Sequence, residues 1–168
     1  MRTILSLGIS LVFAVGLGHG GGEKGKAGKD KPKHMDEHVA VKPADLKWGP
    51  APPGLPAGGQ IAVLVGDPSK AGAPYVIRAK VPDGYKVPPH RHPHAENVTV
   101  LQGTLIIGRG KMIDAKHEAT LPVGSFMHMP KEMPHYAIAK GETILQIHGI
   151  GPFDISYVNP SDDPRNKK

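Results

Sequence analysis

Residues 84–103 read GYKVPPHRHPHAENVTVLQG, and the fold is decided within this stretch. His90, His92 and His94 fall at alternate positions, and Glu96 continues the series. Side chains two apart in a β-strand share a face. His90 and His92 are therefore expected to point into one cavity, with Glu96 joining them if the strand continues or resumes in phase. Val98 and Val100 keep that parity and predict an apolar floor beneath the polar group. Two neutral imidazoles and a carboxylate suit a borderline transition metal. A fourth ligand from another strand would fix such a site, and His135, opening a later apolar run, is the candidate.

Outward from this stretch, the chain breaks into short apolar or alternating runs at 60–65, 75–81, 96–101, 104–107, 125–129, 135–139, 143–147 and 154–158. Each is bounded by Gly, Pro, Asp or Asn, the pattern of an all-β sandwich or barrel. The body shows no sustained helical periodicity. Short antiparallel strands in this number close as a jelly roll or barrel, which removes exposed edges. Residues 48–59, rich in Pro and Gly, are expected to lie extended against the body.

The chain of 168 residues suits one domain with appendages. Arg2 precedes an apolar run over 4–17, with no further charge until Glu23. That run falls short of the roughly 20 apolar residues of a membrane span. With Gly16, Gly18 and Gly20 after it, it reads as a secretory signal over 1–20. No integral membrane segment remains once it is removed, and a periplasmic or secreted location follows. The absence of Cys excludes a disulfide framework. Residues 21–44 are Lys- and Gly-rich and predict a disordered linker. Within it, Gly21–Lys33 carries five Lys against Glu23 and Asp30, +3 of the net charge of +6, and no nucleic-acid motif or aromatic-rich basic patch is found. The barrel is assigned to 45–158, and the polar tail 159–168 is expected to be loosely attached.

The spacing Gly84, five residues, His90-Arg91-His92, three residues, Glu96, six residues, Gly103 resembles the first cupin motif at every fixed position. The second cupin motif is partly kept: Gly124, Pro130 and His135 fit, whereas Glu132 stands for the usual Gly and Ala139 for the usual Asn. The resemblance implies an all-β, single-domain cupin jelly-roll barrel of short antiparallel strands. It also implies one divalent transition metal ion (Mn, Fe, Ni, Cu or Zn) held by His90, His92, Glu96 and His135. Four protein ligands leave two positions on a six-coordinate ion for water, dioxygen or a chelating small-molecule substrate. In cupins such sites support dioxygenation, decarboxylation, lyase and isomerase chemistry, so a metal-dependent enzyme is the first expectation. A non-catalytic periplasmic metal- or small-ligand-binding protein is the alternative. The ending, with Gly151-Pro152-Phe153, Tyr157-Val158-Asn159-Pro160 and Asp162-Asp163-Pro164-Arg165, resembles small exported bacterial cupins of unassigned reaction. A homodimer stays open as the assembly.

Other polar residues are weighed beside this set. His94 either replaces His92, if Pro93 kinks the chain, or faces solvent, and the family spacing favours the latter. Gln146 and His148 share strand parity. His148 is a candidate general base beside Glu96, or a hydrogen-bonded core histidine. Met127, Met129 and Met133 surround His128 and read as apolar filling rather than as copper ligands. Arg91 and Tyr136 are expected to face away from the cavity.

Overall fold

The computed structural model describes residues 38–167. The expected signal at 1–20, and the linker as far as residue 37, lie outside the described residues. Among the described residues nine strands form one antiparallel sheet that curls over on itself. They are β1 (Gly49–Pro50), β2 (Gln60–Gly66), β3 (Pro74–Val81), β4 (Lys86–Arg91), β5 (Glu96–Arg109), β6 (Glu118–Pro122), β7 (Phe126–Met129), β8 (His135–Ile150) and β9 (Ser156–Tyr157). No helix among the described residues is long and apolar enough to cross a membrane.

The curl comes from β5 and β8, of 14 and 16 residues, each of which serves both walls. The first half of β5 pairs with the second half of β8, Glu96 facing Gly149 and Val100 facing Leu145. The second half of β5 pairs with the first half of β8, Leu105 facing Ala139 and Arg109 facing His135. Register shifts around Gln102 bend the pair between these halves. Sequence reading split each strand in two at this bend, because Gly103 and Gly141 look like turns. Both have positive φ, 71° and 74°, but the ladder resumes beyond them. Gly103 is required for a second reason: a Cβ there would meet the Glu142 carbonyl oxygen and Thr143 Oγ1 at 2.5 Å.

The first wall runs β1-β2-β3-β8-β5-β7 and the second β9-β4-β8-β5-β6. Their inward residues, including Ile77, Val98, Val100, Leu105 and Ile147, form the buried core. Residues 48–59 do not run extended throughout. Gly49–Pro50 pairs with β2, and the chain then loops until the Ala51 N–H donates to the Gly59 carbonyl at 3.0 Å. Tyr85 and Tyr157 hydroxyls donate to the Pro56 and Gly54 carbonyls, at 2.5 and 2.9 Å, and hold this loop over the end of the barrel.

The C-terminal tail is not loosely attached, contrary to expectation. Asn159 and Asp163 cap two short 3-10 turns. Arg165 grips the Asp163 carboxylate and donates to the Ile155 carbonyl at 2.9 Å.

Tyr136 faces away from the cavity, as expected, yet is only 1% exposed. Its ring lies across Gly108, its partner on β5, and residues 114–118 cover it. Its hydroxyl accepts from the Asp114 N–H at 2.9 Å and lies 3.1 Å from the Glu118 carboxylate. An aromatic ring over a strand glycine replaces the packing that glycine lacks. Gly108→Ala puts a methyl group where the ring lies and should cost about 1–3 kcal/mol. Urea unfolding measures this, and wild-type stability would show that the ring has free room.

Candidate metal centre

The two consecutive prolines of β4 begin the site. Pro88 and Pro89 have no N–H to donate, so the ladder with β8 breaks between Val87 and His90 and resumes at the pair His90–His135. The broken register leaves the Pro88 carbonyl free to meet its own neighbour's ring: His90 Nδ1 lies 2.7 Å from it. His92 follows the end of β4, where the Glu132 N–H holds its carbonyl at 2.9 Å. Its Nδ1 lies 2.7 Å from the Asp154 carbonyl, and its ring stacks on Phe153 with centroids 5.6 Å apart. His135 opens β8, with Nδ1 3.0 Å from the Met133 carbonyl. Glu96 opens β5 on the opposite wall.

These four side chains are buried, from 1% exposed for His135 to 7% for His92 and Glu96. One ring nitrogen from each of His90, His92 and His135 lies within 4.8 Å of the other two, so the three could together hold a metal ion. The nearer Glu96 oxygen stands 3.7 Å from His92 Nε2 and 3.6 Å from His135 Nε2. A carbonyl only accepts hydrogen bonds, so each Nδ1 carries the proton and donates it. Nε2 is then the atom each ring turns toward the group. Second partners of this kind fix the tautomer and orientation of metal-binding histidines.

Electrostatics point the same way. Burial, with the neighbouring His135 and His92 rings, pushes His90 down to about 3, so its ring is neutral. Burial alone would raise the Glu96 carboxyl, but its hydrogen bond with His135, followed by its interactions with the His92, His135 and His90 rings, outweighs that and holds it at about 2. A carboxylate only 7% exposed needs a positive charge beside it. A cation meets that need, and the donor set of imidazoles and one carboxylate fits a divalent transition ion.

The remaining expected residues separate cleanly. His94 sits in the bend between β4 and β5, half-buried and outside the histidine group. Arg91 points outward and pairs with Glu132 at 3.1 Å. Glu132 has φ 60°, the left-handed conformation that explains why the motif usually has Gly there. His148 is not brought to the site. Leu145 and Ile147 line the cavity, and His148 alternates with them onto the outer face, beside Gln146. Gln146 accepts there from Arg78 Nε at 3.4 Å. The shared parity of Gln146 and His148 was read correctly, but strand parity alone does not say which side is inside. Met127 lines the cavity and Met129 is buried beside β5, opposite Glu96. His128 faces outward and bonds Asn97 at 2.8 Å.

Sequence reasoning missed the cavity's other contributors. Ala51 and Leu55 of the Pro-rich loop line it, as does Phe153. Their contacts span long sequence separations, and no local spacing announces them. The cavity measures about 80 Å³.

Imidazole 15N–1H correlation spectra of the metal-free protein test the orientation. Three rings should show a protonated Nδ1 in contact with a backbone carbonyl. A proton on Nε2 with a bare Nδ1, for any of His90, His92 or His135, would contradict the arrangement.

The model of the Cupin domain matches residues 77–151. No curated protein sequence matches the chain. Among solved structures, the polyketide cyclase RemF from Streptomyces resistomycificus is similar at 19% identity and TM-score 0.56, covering 76% of this chain and 90% of that one. An RmlC-like cupin from Shewanella frigidimarina NCIMB 400 is similar at 15% identity and TM-score 0.53, covering 68% and 91%. KdgF from a Halomonas species is similar at 16% identity and TM-score 0.51, covering 70% and 96%. At these identities the likeness is one of fold.

Proposed function

We propose that this chain, which belongs to the cupin superfamily, is a metal-dependent enzyme acting on a small organic molecule. His90, His92, Glu96 and His135 are assigned as the ligands of one divalent transition ion. The observation that carries this is the set of three backbone carbonyls, from Pro88, Asp154 and Met133, that hold the Nδ1 atoms of three clustered histidines, with the Glu96 carboxylate beside the Nε2 atoms of two of them. Bound there, such an ion supplies a Lewis-acid centre, with redox chemistry added where it is iron or copper. Glu96, the only anionic donor of the set, is the group whose charge tunes that centre. The apolar walls exclude water and confine a substrate against the four polar side chains. The polyketide cyclase and the other structural neighbours support the fold and do not transfer a reaction.

The alternative is a non-catalytic periplasmic metal- or small-ligand-binding protein. One observation favours it: among the described residues, the only titratable cavity side chain beyond these four is Tyr85. Burial pushes its hydroxyl up to about 12, and that hydroxyl already donates to Pro56. His148, the expected second base, lies outside the cavity, so Glu96 alone carries the catalytic assignment.

Elemental analysis of His90→Ala, His92→Ala and His135→Ala should show metal falling well below one equivalent. Loss of a direct ligand should exceed the roughly 10–100-fold that loss of an outer-shell partner costs. The barrel should still melt cooperatively, since its strands have their own apolar core. Full occupancy in any one variant would remove that residue from the set. Glu96→Gln should then separate the two functions. In an enzyme, oxygen uptake or substrate turnover should fall far more than metal content. In a binding protein only affinity should change.

A periplasmic or secreted location is part of the proposal and rests on the 1–20 sequence pattern. Mass spectrometry of the exported protein should find a chain that begins near Gly20. An intact Met1 on exported protein would contradict it.

A further inference from the structure

We infer that the site takes a small, predominantly apolar ligand with one metal-seeking polar end and no second charge. This rests on the metal centre proposed above and goes beyond it to the class of molecule bound there. The cavity joins the four polar side chains at one end to walls of Ile61, Val98, Leu105, Ile107, Leu145 and Ile147. Among the described lining residues no Lys or Arg occurs, and Glu96 is the one charged side chain. The Tyr85 hydroxyl is engaged by the Pro56 carbonyl, and Gln60 is exposed. Apart from the Gln60 amide, the walls therefore offer a ligand no partner for a second carboxylate, phosphate or ammonium, nor for a run of hydroxyls. A charge left unpaired against such walls is costly.

Size narrows the class further. A cavity of about 80 Å³ suits a ligand of only a few non-hydrogen atoms, on the order of the short carboxylates. That is far below the roughly 300–1,000 Å³ of pockets for drug-sized ligands. Sugars, nucleotides and polycarboxylates are excluded on both size and polarity. Short-chain acids, small diketones and similar chelating molecules with a hydrocarbon body fit.

The test uses cobalt(II)-loaded protein and straight-chain carboxylates from acetate to octanoate, titrated by the visible spectrum of the ion. Each methylene buried against the walls should tighten binding roughly fourfold. The gain should stop at or before hexanoate, where the cavity is full. Succinate, with the atom count of hexanoate, should bind at least about 100-fold more weakly, because its second carboxylate has no partner. Leu145→Ala should move the optimum to longer acids, and the milder Ile107→Val should do so by about one methylene even if Leu145→Ala does not fold. A series with no chain-length dependence, or a preference for succinate, on protein that holds cobalt normally overturns this inference and leaves the metal centre standing. Failure to hold cobalt at all overturns both.

Discussion

The antiparallel pairing of β5 with β8 is the constraint on which the rest depends. Each strand crosses from one wall to the other, and the bend at Gly103 and Gly141 must occur in both at the same height. Thr143, fully buried between them, reaches the Thr104 and Gly141 carbonyls with its hydroxyl. Glu96 therefore starts on the first wall and His135 on the second, although both open a strand of the same ladder. They meet across the cavity only because the pair folds over between its two halves. A register slip of one residue would reverse every side chain on the slipped strand. It would expel either Glu96 or His135 from the cavity and bring Thr99 or Tyr136 inward.

The site was legible in the sequence to the extent that its information is local. His90, His92 and Glu96 stand on alternate positions, and the chain bends at Pro93–Ala95 and resumes in phase. His135 was found through its motif spacing. The carbonyl of Asp154 that orients His92 comes from 62 residues away, and no periodicity carries such a pairing. The placement of His148 failed for a related reason. Alternation gives two faces, and only the neighbouring strands decide which face is covered. Strands were legible where β-branched residues alternate, as in β2 and β3. β6 was missed because Glu118–Pro122 has weak strand propensity and is held by its ladder with β5 rather than by its own preference.

The departures from the motif now have physical content. Glu132 occupies a left-handed position at a cost that Gly would avoid. Its backbone N–H still holds the His92 carbonyl, and its side chain pairs with Arg91 at the surface. The turn thus orients the segment that carries His92. Ala139 in place of Asn removes one more polar group from the cavity. Its backbone remains tied to Gly84 and Tyr85 by hydrogen bonds of 3.0 and 2.9 Å. This substitution keeps the strand and makes the wall more apolar.

That gain in apolarity bears on how the polar group works. Charges in a low-dielectric pocket interact more strongly than in water, but each also loses its hydration. The balance is favourable only if every donor is oriented before an ion arrives. Here three rings have already spent their Nδ1 protons on backbone carbonyls, two of which belong to segments clamped from outside. Asp154 is held by the C-terminal tail through Arg165, whose Nη1 stands 3.5 Å from its carboxylate. Pro88 is held where β4 lies between β8 and β9, with the next carbonyl, of Pro89, accepting from the Val158 N–H at 2.8 Å. The tail therefore belongs to the site's support even though it contributes no ligand. A barrel with an apolar interior has to place such orienting contacts in its rim, and in this chain the last strand and the turns after it provide that rim.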